Sequence, residues 1–315
     1  MNEHDVTARW SSARSAEHYR IDDWGKGYFD VSEQGSLLVR PRGDEEAIDL
    51  FEVVTGLRER GLSPPLLIRF SDILAHRLRT LREAFTSAMA ENEYRGSYVA
   101  AYPIKVNQQR PVVEEIFRYG TENEFGLEVG SKPELLAVMA LTGGASERLI
   151  VCNGFKDDGY IEAAILAAKL GRKIVPIVED FGELELILKH AMRHEVKPVI
   201  GVRVKLASQG AGRWRGSAGE KSKFGLFVSE MLQMVEWLSA HVMLEALQLV
   251  HCHPGSQIHE IDRLKDAIGE LGHVYAELVR LGAPIRYVDV GGGLGVDYDG
   301  TRTSTDSSMN YTLEE

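Results

Sequence analysis

The strongest constraint on the fold is an alternation that runs from residue 63 to the end of the chain. Short apolar runs recur at 65–70 (PLLIRF), 98–104 (YVAAYPI), 124–128 (EFGLE), 149–152 (LIVC), 173–178 (KIVPIV), 198–205 (PVIGVRVK), 246–253 (ALQLVHCH) and 285–290 (IRYVDV). Helical patterns separate them. After the first run, Leu74, Leu78, Leu81 and Phe85 fall at helical spacing, with Ser71 and Asp72 as candidate N-caps. Strands that alternate with helices imply right-handed βαβ units and a parallel sheet. About eight units of similar spacing favour an α/β closed barrel, the TIM-type (β/α)8 fold, over an open doubly wound sheet. With 315 residues the chain is long enough for two domains, or for one barrel with an extension. We place the extension at 1–62 and the barrel at 63–315. Within the extension, residues 1–20 show no usable period and read as a flexible tail. Residues 21–42 hold short β-like pieces. An amphipathic helix is expected at about 44–60, with Ile48, Phe51 and Leu57 on one face.

Composition removes several function classes. The 36 basic and 47 acidic residues sum to −11, a poor match for nucleic acid, which needs a dense basic footprint. No apolar run approaches the roughly 18 residues of a membrane span. The first twenty residues lack the apolar core of a secretory signal. Cys152 and Cys252 are the only cysteines, too few for a disulfide scaffold or a four-cysteine zinc site, and they suit a reducing cytoplasm. A soluble cytoplasmic enzyme is the expectation.

The residues suited to chemistry cluster where strands end. Lys105 closes the run YVAAYPIK. Alternation sets it on the face of Val99, Ala101 and Pro103, where desolvation would lower its amine pKa and prepare a Schiff-base nucleophile. The alternative is a solvated strand-end lysine. In HCHPGSQ (251–257), His251 and His253 share one strand face, with Cys252 on the other. The H-x-H pair suggests metal, but no Glu-rich or Cys-rich partner set supports it. The plainer reading is a strand-end His253 followed by a turn at Gly255 and Ser256 that offers donors to an anion. The stretch DVGGGLGVDYDG (289–300) carries a triple glycine that lets a phosphate approach the backbone. It is not a dinucleotide fingerprint, because Val296 stands where the third glycine belongs, and no G-K-[ST] follows to make a P-loop. Glu128 and Ser131 lie in GLEVGSKPEL, read either as an ordinary helix cap or as an acidic group tuning the lysine. Residues 206–223 (LASQGAGRWRGSAGEKSK) form a long loop after a strand, either functional or a mobile surface loop. The final NYTLEE reads as the start of a helix capped by Asn310 or Thr312. A lysine, an imidazole and two anion-binding turns at strand ends together suit a phosphorylated aldehyde cofactor.

These strings resemble the biosynthetic arginine decarboxylases, of the alanine-racemase-like, fold-type III group of pyridoxal-phosphate enzymes. The likeness runs through DDWGKGYFDV, SPPLLIRF, AYPIKVNQQRPVVEEI, GLEVGSKPEL, VCNGFKD, GEKSKFGL, HCHPGSQ and DVGGGLGVDYDGTRT. It implies that Lys105 carries pyridoxal 5′-phosphate as a Schiff base and that His253 stacks on its ring. Ser256, Gly291, Gly292 and Gly293 would contact the phosphate, and Glu128 would sit beside them. The substrate segment would comprise Asp289, Val290, Gly291, Gly292, Gly293, Leu294, Gly295, Val296, Asp297, Tyr298 and Asp299. The implied reaction turns L-arginine into agmatine and CO2, an entry to putrescine and spermidine. Mg2+ is the implied companion, L-arginine the small-molecule partner, and a homo-oligomer the implied full-length state. Cys252 and Pro254 depart from the HFHLGSQ that the family usually shows, and Pro254 removes an N–H from the turn that aims Ser256.

The resemblance also implies a longer protein. In that group the run at 65–70 precedes the barrel, so the eighth barrel strand and a C-terminal β-domain would lie beyond residue 315. The barrel is then expected to be incomplete, and the chain by itself inactive or barely active. Another fold-III decarboxylase acting on diaminopimelate or ornithine, a non-catalytic cofactor-binding remnant and a nicotinamide-binding protein are the competing readings.

Overall fold

The computed structural model of the chain describes residues 10–42, 47–120, 125–143, 147–207 and 222–315. Two short helices, α1 (Ser12–His18) and α2 (Ile21–Gly25), lead into a small antiparallel sheet of β1 (Phe29–Val31), β2 (Leu37–Val39) and β3 (Ile48–Asp49). Helices α3 (Leu50–Glu59) and α4 (Ser71–Glu91) follow. Then come β4 (Ala101–Pro103), α5 (Arg110–Gly120), β5 (Gly126–Val129), α6 (Lys132–Leu141), β6 (Ile150–Cys152), α7 (Asp158–Lys169), β7 (Ile174–Val178) and α8 (Gly182–His194). The series ends with β8 (Ile200–Arg203), α9 (Val228–Ala240), β9 (Leu247–His251), α10 (Ile261–Arg280) and β10 (Tyr287–Asp289).

Strands β4 to β10 form one sheet in sequence order, and every neighbouring pair is parallel. This is the strand order of a (β/α)8 barrel with seven of its strands among the described residues. The sequence dictates it locally. Ile174–Val178 is Val/Ile-rich and wholly buried, as a strand covered on both faces requires. Helix starts are set by side chains: Ser131 accepts from the Glu134 N–H, and Asp157 from the Tyr160 N–H at 2.7 Å. Strand alternation then divides the core. Val151, Val175, Ile177 and Leu249 pack together on one face of the sheet. The larger cluster lies on the other face, where Val202, Val250, Ile161, Ile187, Met234 and Leu271 join strands to helices. Each such side chain contributes about 1.5–3 kcal/mol by leaving water.

Several expectations need correction. The run at 65–70 is no strand: Leu66, Ile68 and Phe70 are half-buried in an extended segment that pairs with none of the described strands. Pro64 and Pro65 cannot donate to a ladder there. The stretch expected to be a loose tail contains α1, capped by the Ser11 hydroxyl on the Arg14 N–H. The helix expected at about 44–60 starts later, with Asp49 as its cap. Ile48 belongs to β3, and Phe51 is 70% exposed rather than packed. Neither Ser71 nor Asp72 caps α4, which begins after Phe70. NYTLEE forms no helix. Asn310 instead accepts from the Ile261 N–H at 3.3 Å and so caps α10. Most of the long loop at 206–223 lies outside the described residues.

Candidate active site

Parallel register brings chosen residues to one end of the sheet. Glu128 pairs with Pro103 and Val151, while His251 pairs with Arg203 and Asp289. Pro103, Arg203, His251 and Asp289 end their strands and Glu128 is next to last in its own, at the face on which barrel enzymes build their sites. Two ion pairs and one histidine–carboxylate contact result. Lys105 Nζ lies 3.2 Å from Glu128 Oε1, Arg203 Nη1 3.0 Å from Glu179 Oε1, and His251 Nδ1 3.0 Å from Asp289 Oδ2. The last contact lacks hydrogen-bond geometry. Burial pushes the Asp289 carboxyl up, but the His251 charge and the Gly291 N–H at 2.8 Å outweigh it and hold it below the usual range.

Lys105 is not in a strand. It sits in a single 3-10 turn, Ile104–Val106, just past β4, and its side chain is 57% exposed. The desolvation expected from its apolar neighbours therefore does not occur. What positions the amine is the 89%-covered carboxylate of Glu128, whose side chain is only 11% exposed. Gly130 lies beside the lysine stem, where even a Cβ would make only an ordinary contact of 3.9 Å with Lys105 Cδ.

The two glycine turns abut. A Cβ on Gly291 would fall 2.2 Å from the Cys252 carbonyl oxygen and 3.2 Å from Pro254 Cδ; one on Gly293 would fall 2.4 Å from the Gly255 oxygen. Both glycines have positive φ, 69° and 105°. Only glycine fits such a junction. Pro254 thus packs against Gly291. Around Gly292 a Cβ would meet nothing within 4 Å, so the apex is open. The Gly291 N–H already serves Asp289, but the amides of Gly292 and Gly293 and the Ser256 hydroxyl donate to no acceptor among the described residues. Beside them stands His253, beyond the end of β9. Part of its surface reaches solvent, yet crowding at the mouth strips hydration from its ring. With the positive charges of Arg203, His251 and Lys105, this pulls its imidazole down to about 4.

The segment after β10 divides in two. Asp289 and the three glycines face this mouth through the contacts above. Beyond them, Gln257 clasps Val296 with two bonds of 2.7 and 2.9 Å, and Gly295 donates to the Tyr311 hydroxyl at 2.7 Å. Asp297 is buried and held by Ser308 at 2.6 Å and Lys26 at 3.1 Å. Asp299 accepts from Thr301. Leu294, Val296 and Tyr298 are exposed, and Val290 is half-buried.

The residues present fit pyridoxal phosphate: an accessible amine, unengaged amides and a hydroxyl at an open glycine apex, and an imidazole kept neutral. Buried acceptors with no partner among the described residues, Asn153 Oδ1 and Glu179 Oε2, also lie just past strand ends. They do not fit Mg2+. The one cluster of three close potential ligands among the described residues is Glu162, His190 and His194, and Mg2+ demands oxygen donors in near-octahedral array. The expected Mg2+ companion is therefore given no site.

Sequence reading missed Glu179 and Arg203, and the buried pair of Lys156 with Glu183 at 3.1 Å. A signal existed: Arg203 interrupts an apolar run and Glu179 follows one. Ser131 proves to be the helix cap of the plainer reading.

Fold and donor set together define a barrel suited to a phosphorylated aldehyde. The chain belongs to the family described as pyridoxal-dependent decarboxylase, pyridoxal binding domain, whose model matches residues 78–315. It is 50% identical over 311 residues to the biosynthetic arginine decarboxylase of Rhodopirellula baltica, and 48% identical over 311 residues to that of Thermosynechococcus vestitus. Each alignment covers 98% of this chain but only 46% and 48% of those proteins. The chain thus spans about half the length of the curated relatives it matches. The crystal structure of the biosynthetic arginine decarboxylase from Campylobacter jejuni superimposes with a TM-score of 0.83 at 35% identity, covering 94% of this chain and 48% of that one. Among the described residues, no helix is long and apolar enough to cross a membrane.

Proposed function

We propose that the chain supplies the pyridoxal-phosphate-holding barrel of a cytoplasmic arginine decarboxylase, which converts L-arginine to agmatine and CO2 for polyamine synthesis. The observation that carries this is the Lys105 amine, paired with Glu128 at the same barrel mouth as two abutting glycine turns. When bound, the cofactor supplies an aldehyde for the substrate amine and a ring that takes up the electron pair left as CO2 departs.

The chain's own residues do the rest. Glu128 holds the Lys105 Nζ at the mouth and can take a proton from it. Gly292, Gly293 and Ser256 would donate to the phosphate. His253, neutral above about pH 5, would stack against the cofactor without adding charge. Asp289 fixes the Gly291 amide, and so the shape of the phosphate turn. The segment from Asp289 to Asp299 borders the substrate, with Leu294, Val296 and Tyr298 as its exposed apolar and aromatic members. The full-length enzyme acts as a homo-oligomer.

Reductive trapping with borohydride followed by peptide mass spectrometry tests the assignment on the intact protein. The pyridoxyl mass is expected on the peptide carrying Lys105, and Lys105→Ala is expected to lose both that mass and agmatine release. An adduct on another lysine, or agmatine release undiminished in Lys105→Ala, would overturn the reading. Release of CO2 from ornithine or diaminopimelate in preference to arginine would overturn the substrate.

A further inference from the structure

We propose that Glu162, His190 and His194 form a site for a divalent transition metal of the zinc class, on the outer helical layer and apart from the barrel mouth. Helix α8 places the two histidines four residues apart, hence on one face, with their rings 6.1 Å apart and inclined by 9°. Helix α7 brings Glu162 Oε1 to 3.0 Å from His194 Nε2 and 3.7 Å from His190 Nδ1. All three ligand atoms lie within 4.8 Å of one another. Tetrahedral zinc with bonds of about 2.0–2.1 Å needs ligand atoms roughly 3.4 Å apart, so small side-chain movements would close the set, with water in the fourth place.

A second observation points to a ligand. The His190 side chain is fully buried at 0% exposure, and its Nε2 lies 2.9 Å from Asp158 Oδ1. Among the described residues its Nδ1 has no hydrogen-bond partner. A carboxylate on one ring nitrogen sets the proton there and leaves the lone pair of the other free, the arrangement that orients metal-bound histidines. A buried nitrogen left so is otherwise a cost. Arg193 Nη1 sits 3.1 Å from the same Glu162 oxygen, but its side chain is 64% exposed and can swing into solvent as a cation enters. Imidazole donors select zinc, nickel or copper rather than Mg2+. A metal here would staple α7 to α8.

Titration of Zn2+ into the intact holoenzyme tests this. One equivalent is expected to bind at micromolar concentration, to raise the melting temperature and to leave the cofactor spectrum unchanged. His194→Gln and Glu162→Gln are each expected to weaken binding by at least about tenfold, and Asp158→Asn by about tenfold through loss of the fixed His190 tautomer. These positions are partly exposed, so the variants should fold where His190→Ala would not. Absence of a stoichiometric site, binding that survives either the His194 or the Glu162 change, or loss of the equivalent on His253→Gln instead, would overturn the proposal.

Discussion

Gly293 meets two constraints at once, a φ of 105° and a Gly255 oxygen only 2.4 Å from where a Cβ would stand. Gly293→Ala must therefore push the two phosphate turns apart. We expect cofactor affinity to fall at least about tenfold, since 1.4 kcal/mol suffices for that and backbone strain of this kind costs about 1–3 kcal/mol. Fluorescence titration of pyridoxal phosphate measures it; affinity equal to wild type would mean the turns do not hold the phosphate. His253 makes a pH prediction. Its folded value, about 4, lies below its ordinary 6.5, so the unfolded chain binds the proton more readily. The neutral ring's contribution to stability is full above about pH 6.5 and is lost as pH falls through about 4. Melting temperature should decline across that window, and less steeply in His253→Gln. An identical decline in both proteins would remove His253 as the cause. None of this was legible in the residue types. The motif HCHPGSQ marked the place, but part of what keeps the ring neutral is the positive charge of Arg203 at the end of β8 and of Lys105 in the turn past β4.

At the scale of elements, Lys156 and Glu183 link the loop after β6 to the first turn of α8. Their side chains are 0% and 3% exposed. Desolvation raises the Glu183 carboxyl more than Lys156 and the two backbone donors lower it. Lys156 Nζ also donates to the Gly154 oxygen at 2.6 Å, and Glu183 accepts from the Lys156 and Glu179 N–H groups at 3.0 and 2.9 Å. Lys156→Met leaves a buried carboxylate unpaired and is expected to cost about 3–5 kcal/mol. Glu183→Leu strands the ammonium and two backbone N–H groups, and should cost more. Urea unfolding ranks the two; the reverse order would show that the backbone bonds matter little. Strands were readable to within a residue or two wherever the apolar run was long, as in β7, expected at 173–178 and found at Ile174–Val178. They failed where partners decided. The run at 65–70 has a strand's alternation but pairs with no strand among the described residues, and Phe51 has a helix's period yet stays 70% exposed.

At the scale of the whole molecule, the chain closes on itself through Asp297. This buried carboxylate joins Lys26, just past α2, to the segment after β10. Burial raises its pKa, but Ser308 and Lys26 more than compensate and leave it below the ordinary range. Its contribution is therefore present above about pH 4 and lost as pH falls through its lowered value. Asp297→Asn should loosen the N-terminal elements, at a cost of about 1.5–3 kcal/mol for a charge-assisted bond. Limited proteolysis should then cut near residues 20–40 sooner than in the wild type; unchanged cleavage would mean that other contacts hold this clasp.

The sequence alone determined the parallel α/β barrel, because period and strand composition are local properties, and it marked Lys105, His253 and the glycine run, because such motifs need only neighbours in the chain. Tertiary structure decided what those residues meet. Strand register put Glu128 beside Lys105, Arg203 beside Glu179 and His251 beside Asp289. Helix packing set Glu162 against the two α8 histidines. Residues far apart in sequence acquire charge partners and lose hydration only once the sheet has curved and the helices have docked, so no local pattern could carry that information.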